Sequence, residues 1–140
     1  MDVWEQEPEI LQELVPYTEI ATQHIAGYSL EGKLMGTYML YQAYCQFAGL
    51  PVEKQWQSLL PKAPVSQVAV EGELSPALFK QLAHLVYDVR RDDARFRLGY
   101  TGAESFDAMR KHYPERREWS SLTVDGSCDP RLSALGFTLR

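Results

Sequence analysis

The stretch from Leu30 to Leu50 constrains this chain more than any other. It reads LEGKLMGTYMLYQAYCQFAGL. Ser29 stands before it as a helix N-cap, and Gly49 followed by Leu50-Pro51 closes it. The pattern predicts a helix over 30–48. Leu34, Tyr38, Tyr41, Cys45 and Ala48 make one stripe, while Met35, Met39 and Phe47 lie elsewhere around the axis. A helix that is apolar nearly all round must be covered on several sides. The chain therefore folds around this helix, or offers part of it to another molecule.

The rest of the sequence supplies partners of helical or extended pattern. Residues 8–27 carry Ile10, Leu11, Leu14, Tyr17, Ile20, Ala21 and Ile25 at three- and four-residue steps, which predicts a helix kinked at Pro16. A short helix is expected over 51–60, opening on Pro51, and a valine-rich strand over 65–71. Ser75 and Pro76 start a second strong helix over 76–91. Residues 94–100 alternate Ala94, Phe96, Leu98 and Tyr100 against Arg95, Arg97 and Gly99. Period two predicts a strand with an arginine face. Thr101 to Glu104 reads as a capping box for a helix over 102–113. A short strand over 119–124, a turn over 125–130 and a short C-terminal strand complete the reading. The fold class is α+β, mainly α, with four to five helices and two or three short strands in one domain, residues 1–140. Leu34, Tyr38, Tyr41, Leu78, Leu82, Leu85 and Val89 are the expected shared core.

Composition bounds the function. At 140 residues, 45% hydrophobic and 24% charged, the chain is an ordinary globular one. The acidic start MDVWEQEPEI lacks the features of a secretory signal, and no apolar run is long enough to span a membrane. With two cysteines, Cys45 and Cys128, a reduced cytoplasmic setting is the expectation. The net charge of −5 disfavours a protein that coats nucleic acid. Its distribution is uneven. Asp2, Glu5, Glu7, Glu9, Glu13, Glu19 and Glu31 face no Lys or Arg in the first 31 residues, whereas residues 90–117 are net basic.

Motifs for nucleotide, zinc or serine-hydrolase chemistry are absent: no GxGxxG, GxxxxGK[ST], HExxH, GxSxG or CxxC occurs. No motif calls for a metal or a cofactor. Arg90, Arg91, Arg95 and Arg97 form the candidate partner-binding patch. Pairing of Arg95 and Arg97 with Glu5, Glu7 or Glu9 is the internal alternative. Nucleic acid is a weaker use of the same segment, since alternation turns Phe96 away from the arginines and into the core. His84 and Asp88 share a helix face at i,i+4 spacing. Together with Tyr41 and Cys45 they mark a pocket beside the tyrosine helix, if the chain is catalytic. His24 reads as a histidine at the edge of a core, and His112 as solvent-facing.

These readings lead to a small cytoplasmic protein that acts by binding another protein, as an adaptor, assembly chaperone or inhibitor of the immunity type, and that is not itself an enzyme. Its partner is a different protein or a second copy of itself. The alternative is an enzyme or small-ligand binder using the tyrosine-helix pocket.

Overall fold

The computed structural model describes all 140 residues. It contains helices α1 (Leu30–Ala48), α2 (Pro76–Val86), α3 (Val89–Gly99), α4 (Ala103–Lys111) and α5 (Pro130–Leu135). Three short strands, β1 (Gln67–Ala69), β2 (Thr123–Asp125) and β3 (Thr138–Leu139), form one parallel sheet in the order β1-β2-β3. The fold is α+β and mainly α. No helix is long and apolar enough to cross a membrane. Contacts divide the chain into two units. The first joins Met1–Tyr28 to Asp88–Glu115, and the second joins Ser29–Tyr87 to Arg116–Arg140.

In the second unit, α1 is capped as its sequence demands. The Ser29 hydroxyl accepts from Gly32 N, and Gly49 closes the helix at φ 65°. A buried ion pair anchors its first turn. Arg117 Nε donates to Glu31 Oε1 at 2.8 Å, and Glu118 N donates to Glu31 Oε2 at 3.0 Å. The sheet buries Val124 against Val70, Leu74, Leu82, Leu122, Leu132 and Phe137. Helix α5 carries the chain from β2 to β3, as a parallel pair requires. At the end of β2, Gly126 has φ 83°, and a Cβ there would stand 2.5 Å from the Val70 carbonyl oxygen. Glycine is needed at that point both for its backbone angle and for the close approach of the neighbouring chain.

In the first unit the core is aromatic. Phe96 is fully buried between Trp4 (centroids 5.5 Å apart), Tyr100 (5.5 Å) and Phe106 (6.2 Å), with Ile10 and Ala21 in the same cluster. The offset and edge-on geometries are those aromatic rings favour.

Several expectations are corrected. The helix over 8–27 is only a 3-10 turn at Gln12–Tyr17. Side chains capture the backbone groups that a helix would use: Asp93 takes Ala21 N, and Asp2 takes Ile25 N and Ala26 N. The helix over 51–60 likewise shrinks to a 3-10 turn at Trp56–Leu59. The helix over 76–91 stops at Val86, because Tyr87 is extended and Asp88 caps a new helix through Arg90 N. That new helix, α3, replaces the strand over 94–100. Within it Arg95 pairs with Asp92 at i,i+3 and Arg97 with Asp93 at i,i+4, spacings that only a helix brings together. The expected shared core does not form as one. Leu82 is buried, but Leu85 is half exposed, and Leu34, Tyr38 and Tyr41 lie outside the buried cluster. Most of α1 is also uncovered: only Glu31 and Cys45 are buried, while Leu40 is 73% and Phe47 91% exposed.

Candidate active site

The site lies in the first unit, on two irregular segments, residues 1–9 and 18–28. The sequence that defeats a helix there also makes the site. Trp4 N donates to Glu7 Oε1 at 2.7 Å, which curls the segment and turns the Glu7 carboxylate inward. Trp4 Nε1 donates to the Thr22 carbonyl at 2.7 Å, stitching the first segment to the second. Asp2 completes the stitch. Its Oδ1 accepts from Thr22 Oγ1 and Ile25 N, and its Oδ2 from Ala26 N. Thr22, Gln23 and Ile25 are buried around this turn.

Between those anchors His24 takes φ 55°, and Gln6, next to Glu7, takes φ 64°. Both are left-handed positions that non-glycine residues occupy at a cost of about 1–3 kcal/mol each. Strain of that size persists only where the surroundings impose it, and such positions cluster at functional sites. The result is a His–carboxylate pair: His24 Nδ1 lies 2.7 Å from Glu7 Oε2. The carboxylate accepts, so Nδ1 carries the proton and the lone pair is left at Nε2. Nε2 has no hydrogen-bond partner within the chain, and the imidazole is 44% exposed against 18% for Glu7. A ring with one nitrogen tied to a carboxylate and the other open is a general base by geometry.

Charge at Asp2 supports the arrangement. Burial alone pushes its carboxyl up. The hydrogen bonds from Thr22, Ile25 and Ala26 and the nearby His24 outweigh that, and the net shift is below the ordinary aspartate value.

The residues singled out from sequence fall elsewhere. Tyr41 uses its hydroxyl to accept from Glu53 N and Lys54 N, which fastens the loop after α1. Cys45 is buried in α1, and His84 stands in the last turn of α2. Asp88 caps α3 and grips Arg90 at 2.5 Å. Arg91 is exposed on α3. Arg95 and Arg97 do not share a face, since two residues along a helix turn by about 200°. Arg95 turns to Asp92 rather than to Glu5, Glu7 or Glu9. Arg97 binds Asp93 and the carbonyls of Val15 and Thr18. Phe96 is buried, as the alternation implied, though on a helix. No cluster of three His, Cys, Asp or Glu side chains is placed to hold a metal ion. A cavity of about 320 Å³, lined by Gln12, Val15, Pro16, Phe96, Arg97 and Tyr100, also belongs to the first unit and not to the tyrosine helix.

Sequence reasoning missed both members of the pair. Treating 8–27 as a helix put His24 at a core edge and Glu7 in an acidic tail. The signal available was the breakers themselves: Pro8, Pro16 and Gly27 bracket a short polar stretch holding Thr22, Gln23 and His24.

The chain belongs to the family described as "Domain of unknown function (DUF3410)", whose model matches residues 59–136. It is 58% identical over 142 residues to a Tolumonas auensis protein named erythronate-4-phosphate dehydrogenase, covering 99% of this chain and 38% of that one. Proteins of the same name from Aeromonas salmonicida and Proteus mirabilis are 59% and 52% identical, over 100% and 98% of this chain. This chain spans 37% of each of these two. These relatives overturn the expectation of an adaptor, assembly chaperone or inhibitor, and with it the expectation that the chain is no enzyme. Of the two readings of the sequence, the alternative, an enzyme, fits them.

The Asp2 network carries a pH test. A depressed carboxyl contributes stability that is complete above its unfolded value and is lost as pH falls through the folded one, here from about pH 5 downwards. Thermal melts of the parent and Asp2→Asn should differ near neutrality, and the difference should shrink as pH falls below the ordinary aspartate range. A difference that stays constant over that range contradicts the assignment.

Proposed function

We propose that this chain serves an erythronate-4-phosphate dehydrogenase, with His24 as the general base and Glu7 as the residue that holds it. The observation that carries the reading is the His24–Glu7 hydrogen bond at 2.7 Å on a strained, anchored turn. Relatives above 50% identity across nearly the whole chain support it. Because the chain spans little more than a third of their length, the activity of the whole is inferred and not read from this stretch alone.

Dehydrogenation of a hydroxyl carbon removes a hydride from carbon and a proton from oxygen, leaving a carbonyl. His24 Nε2 takes the proton, and the imidazolium that forms is stabilised across Nδ1 by the Glu7 carboxylate. In the reverse direction the same nitrogen returns the proton to the carbonyl oxygen. A hydride acceptor of the nicotinamide class, when bound, would supply the two-electron oxidation. This stretch has no glycine-rich loop to cradle one, so none of its residues is assigned to that group. A cytoplasmic setting is part of the proposal and agrees with the two unpaired cysteines.

A second observation supports assembly with another copy. Residues 34–52 carry no charged side chain, and along them Met39, Leu40, Tyr44, Phe47 and Leu50 are exposed. An uncharged apolar helix face of this kind marks an interaction surface, and pairing with a second copy about a two-fold axis would cover it on both chains with no charge opposed to its like.

Both parts have direct tests. The first uses a chimera in which this chain replaces the matching stretch of the Aeromonas salmonicida relative. Asparagine tolerates the left-handed conformation but its carboxamide has no basic nitrogen, so His24→Asn should keep the fold and lower kcat by roughly 10²–10⁴-fold. An unchanged kcat contradicts the role. For the second, light scattering on the chain itself should give twice 16.0 kDa at micromolar concentration, and Phe47→Asp should return it to 16.0 kDa. A parent chain that scatters as a monomer overturns the pairing.

A further inference from the structure

The family model covers α3 but neither Glu7 nor His24, which lie before its first matched residue. Yet α3 belongs to the same structural unit as both. Its contacts run to the two segments that bear them. Asp93 Oδ1 accepts from Ala21 N at 2.7 Å, three residues before His24. The same oxygen accepts from Arg97 Nε at 2.8 Å. Arg97 then spreads its other nitrogens onto the Val15 carbonyl at 2.9 Å and the Thr18 carbonyl at 2.7 Å. One turn of α3 thus satisfies three backbone groups of the approach to His24. The packing side of α3 reaches the other segment, where Phe96 stacks on Trp4, the residue whose N–H fixes Glu7 and whose indole fixes Thr22.

None of these contacts comes from a regular element of the 18–28 segment, which has no helix or strand of its own. An irregular loop cannot hold a left-handed histidine without external partners. Arg97 and Asp93 are also suited to the task chemically. The guanidinium is a planar fork, and its donors are divided between one carboxylate and two carbonyls. A surface ion pair alone contributes little, but here the pair is the means by which backbone is gripped.

We propose that α3 of the DUF3410 region is a brace for the acid–base pair, with Asp93 and Arg97 as positioning residues for His24 and Phe96 as the positioning residue for Glu7. The proposal rests on the dyad reading above. It gives that region a part in the reaction without contact with the reacting atoms. Its consequence is specific: loosening the brace moves the base and leaves substrate binding largely intact, so the loss falls on kcat and not on KM.

The test uses the same chimera. Asp93→Ala should lower kcat roughly 10–100-fold, the penalty for a misplaced catalytic group, with KM within about twofold. Asp93→Asn keeps an Oδ1 acceptor for Ala21 N and Arg97, and it should recover most of the lost kcat. Melting curves establish that each variant is folded. If Asp93→Ala does not fold, Arg97→Gln takes its place, since it releases Val15 and Thr18 while leaving Asp93 on Ala21, and it too should lower kcat at constant KM. A folded Asp93→Ala or Arg97→Gln with parental kcat overturns the brace, as does a loss confined to KM or an Asp93→Asn no better than alanine. The two claims separate cleanly. If His24→Asn is inactive while the brace variants are fully active, only the brace fails, and if His24→Asn is active, the dyad reading fails.

Discussion

The hydrogen bond between His24 Nδ1 and Glu7 Oε2 is the constraint that the contacts of the two irregular segments are arranged to hold. It needs two left-handed residues, Gln6 and His24, and neither is glycine. Each costs free energy that a solvated loop does not recover. The surrounding contacts are arranged to hold them. Asp2 binds Thr22, Ile25 and Ala26; Trp4 binds Glu7 and Thr22; Asp93 binds Ala21. Every one of these is a side chain satisfying backbone or a neighbouring polar group, which is how an irregular segment meets its hydrogen-bonding demand without secondary structure. The aromatic core around Phe96 supplies the apolar burial that such a network cannot.

The second unit solves a different problem. Its sheet is too small to bury much by itself, with strands of two or three residues. Packing comes from α2, α5 and the 3-10 turn at Trp119–Ser121, where Trp119 Nε1 donates to the Ala83 carbonyl at 3.0 Å. The apolar run that dominates the sequence is not spent on this core. Helix α1 is fixed at its start by Glu31 and Arg117, and then presents Met39, Leu40, Tyr44 and Phe47 outward. Its composition is that of a buried element and its exposure that of a surface one, and the proposed pairing with a second copy reconciles the two.

The legible parts of the sequence were those with local causes. Ser29 and Gly49 bound α1, Ser75 and Pro76 open α2, and the valines of 65–71 include β1, because caps and short apolar runs act on their own neighbours. Two kinds of reading failed. Residues 94–100 alternate over too few positions to distinguish period two from the i,i+4 pair of Phe96 and Tyr100. The ion pairs that decide for helix reach back to Asp92 and Asp93. The segment 8–27 has helical apolar spacing, but its backbone is claimed by Asp2 and Asp93, one at the start of the chain and the other 72 residues beyond Ala21. The site inherits that difficulty. Glu7 and His24 stand 17 residues apart, joined by a turn that only long-range contacts impose, and no local motif marks them.

Glu7 fixes His24 with the proton on Nδ1 and the lone pair on Nε2. Long-range proton–nitrogen correlation of the histidine rings in this chain, recorded where the ring is neutral, reads that state directly. His24 should show the Nδ1–H tautomer, with its Nδ1 proton shifted downfield by the carboxylate, and both features should be lost in Glu7→Gln. A His24 ring in the Nε2–H form that free imidazole side chains prefer, unchanged by Glu7→Gln, would contradict it.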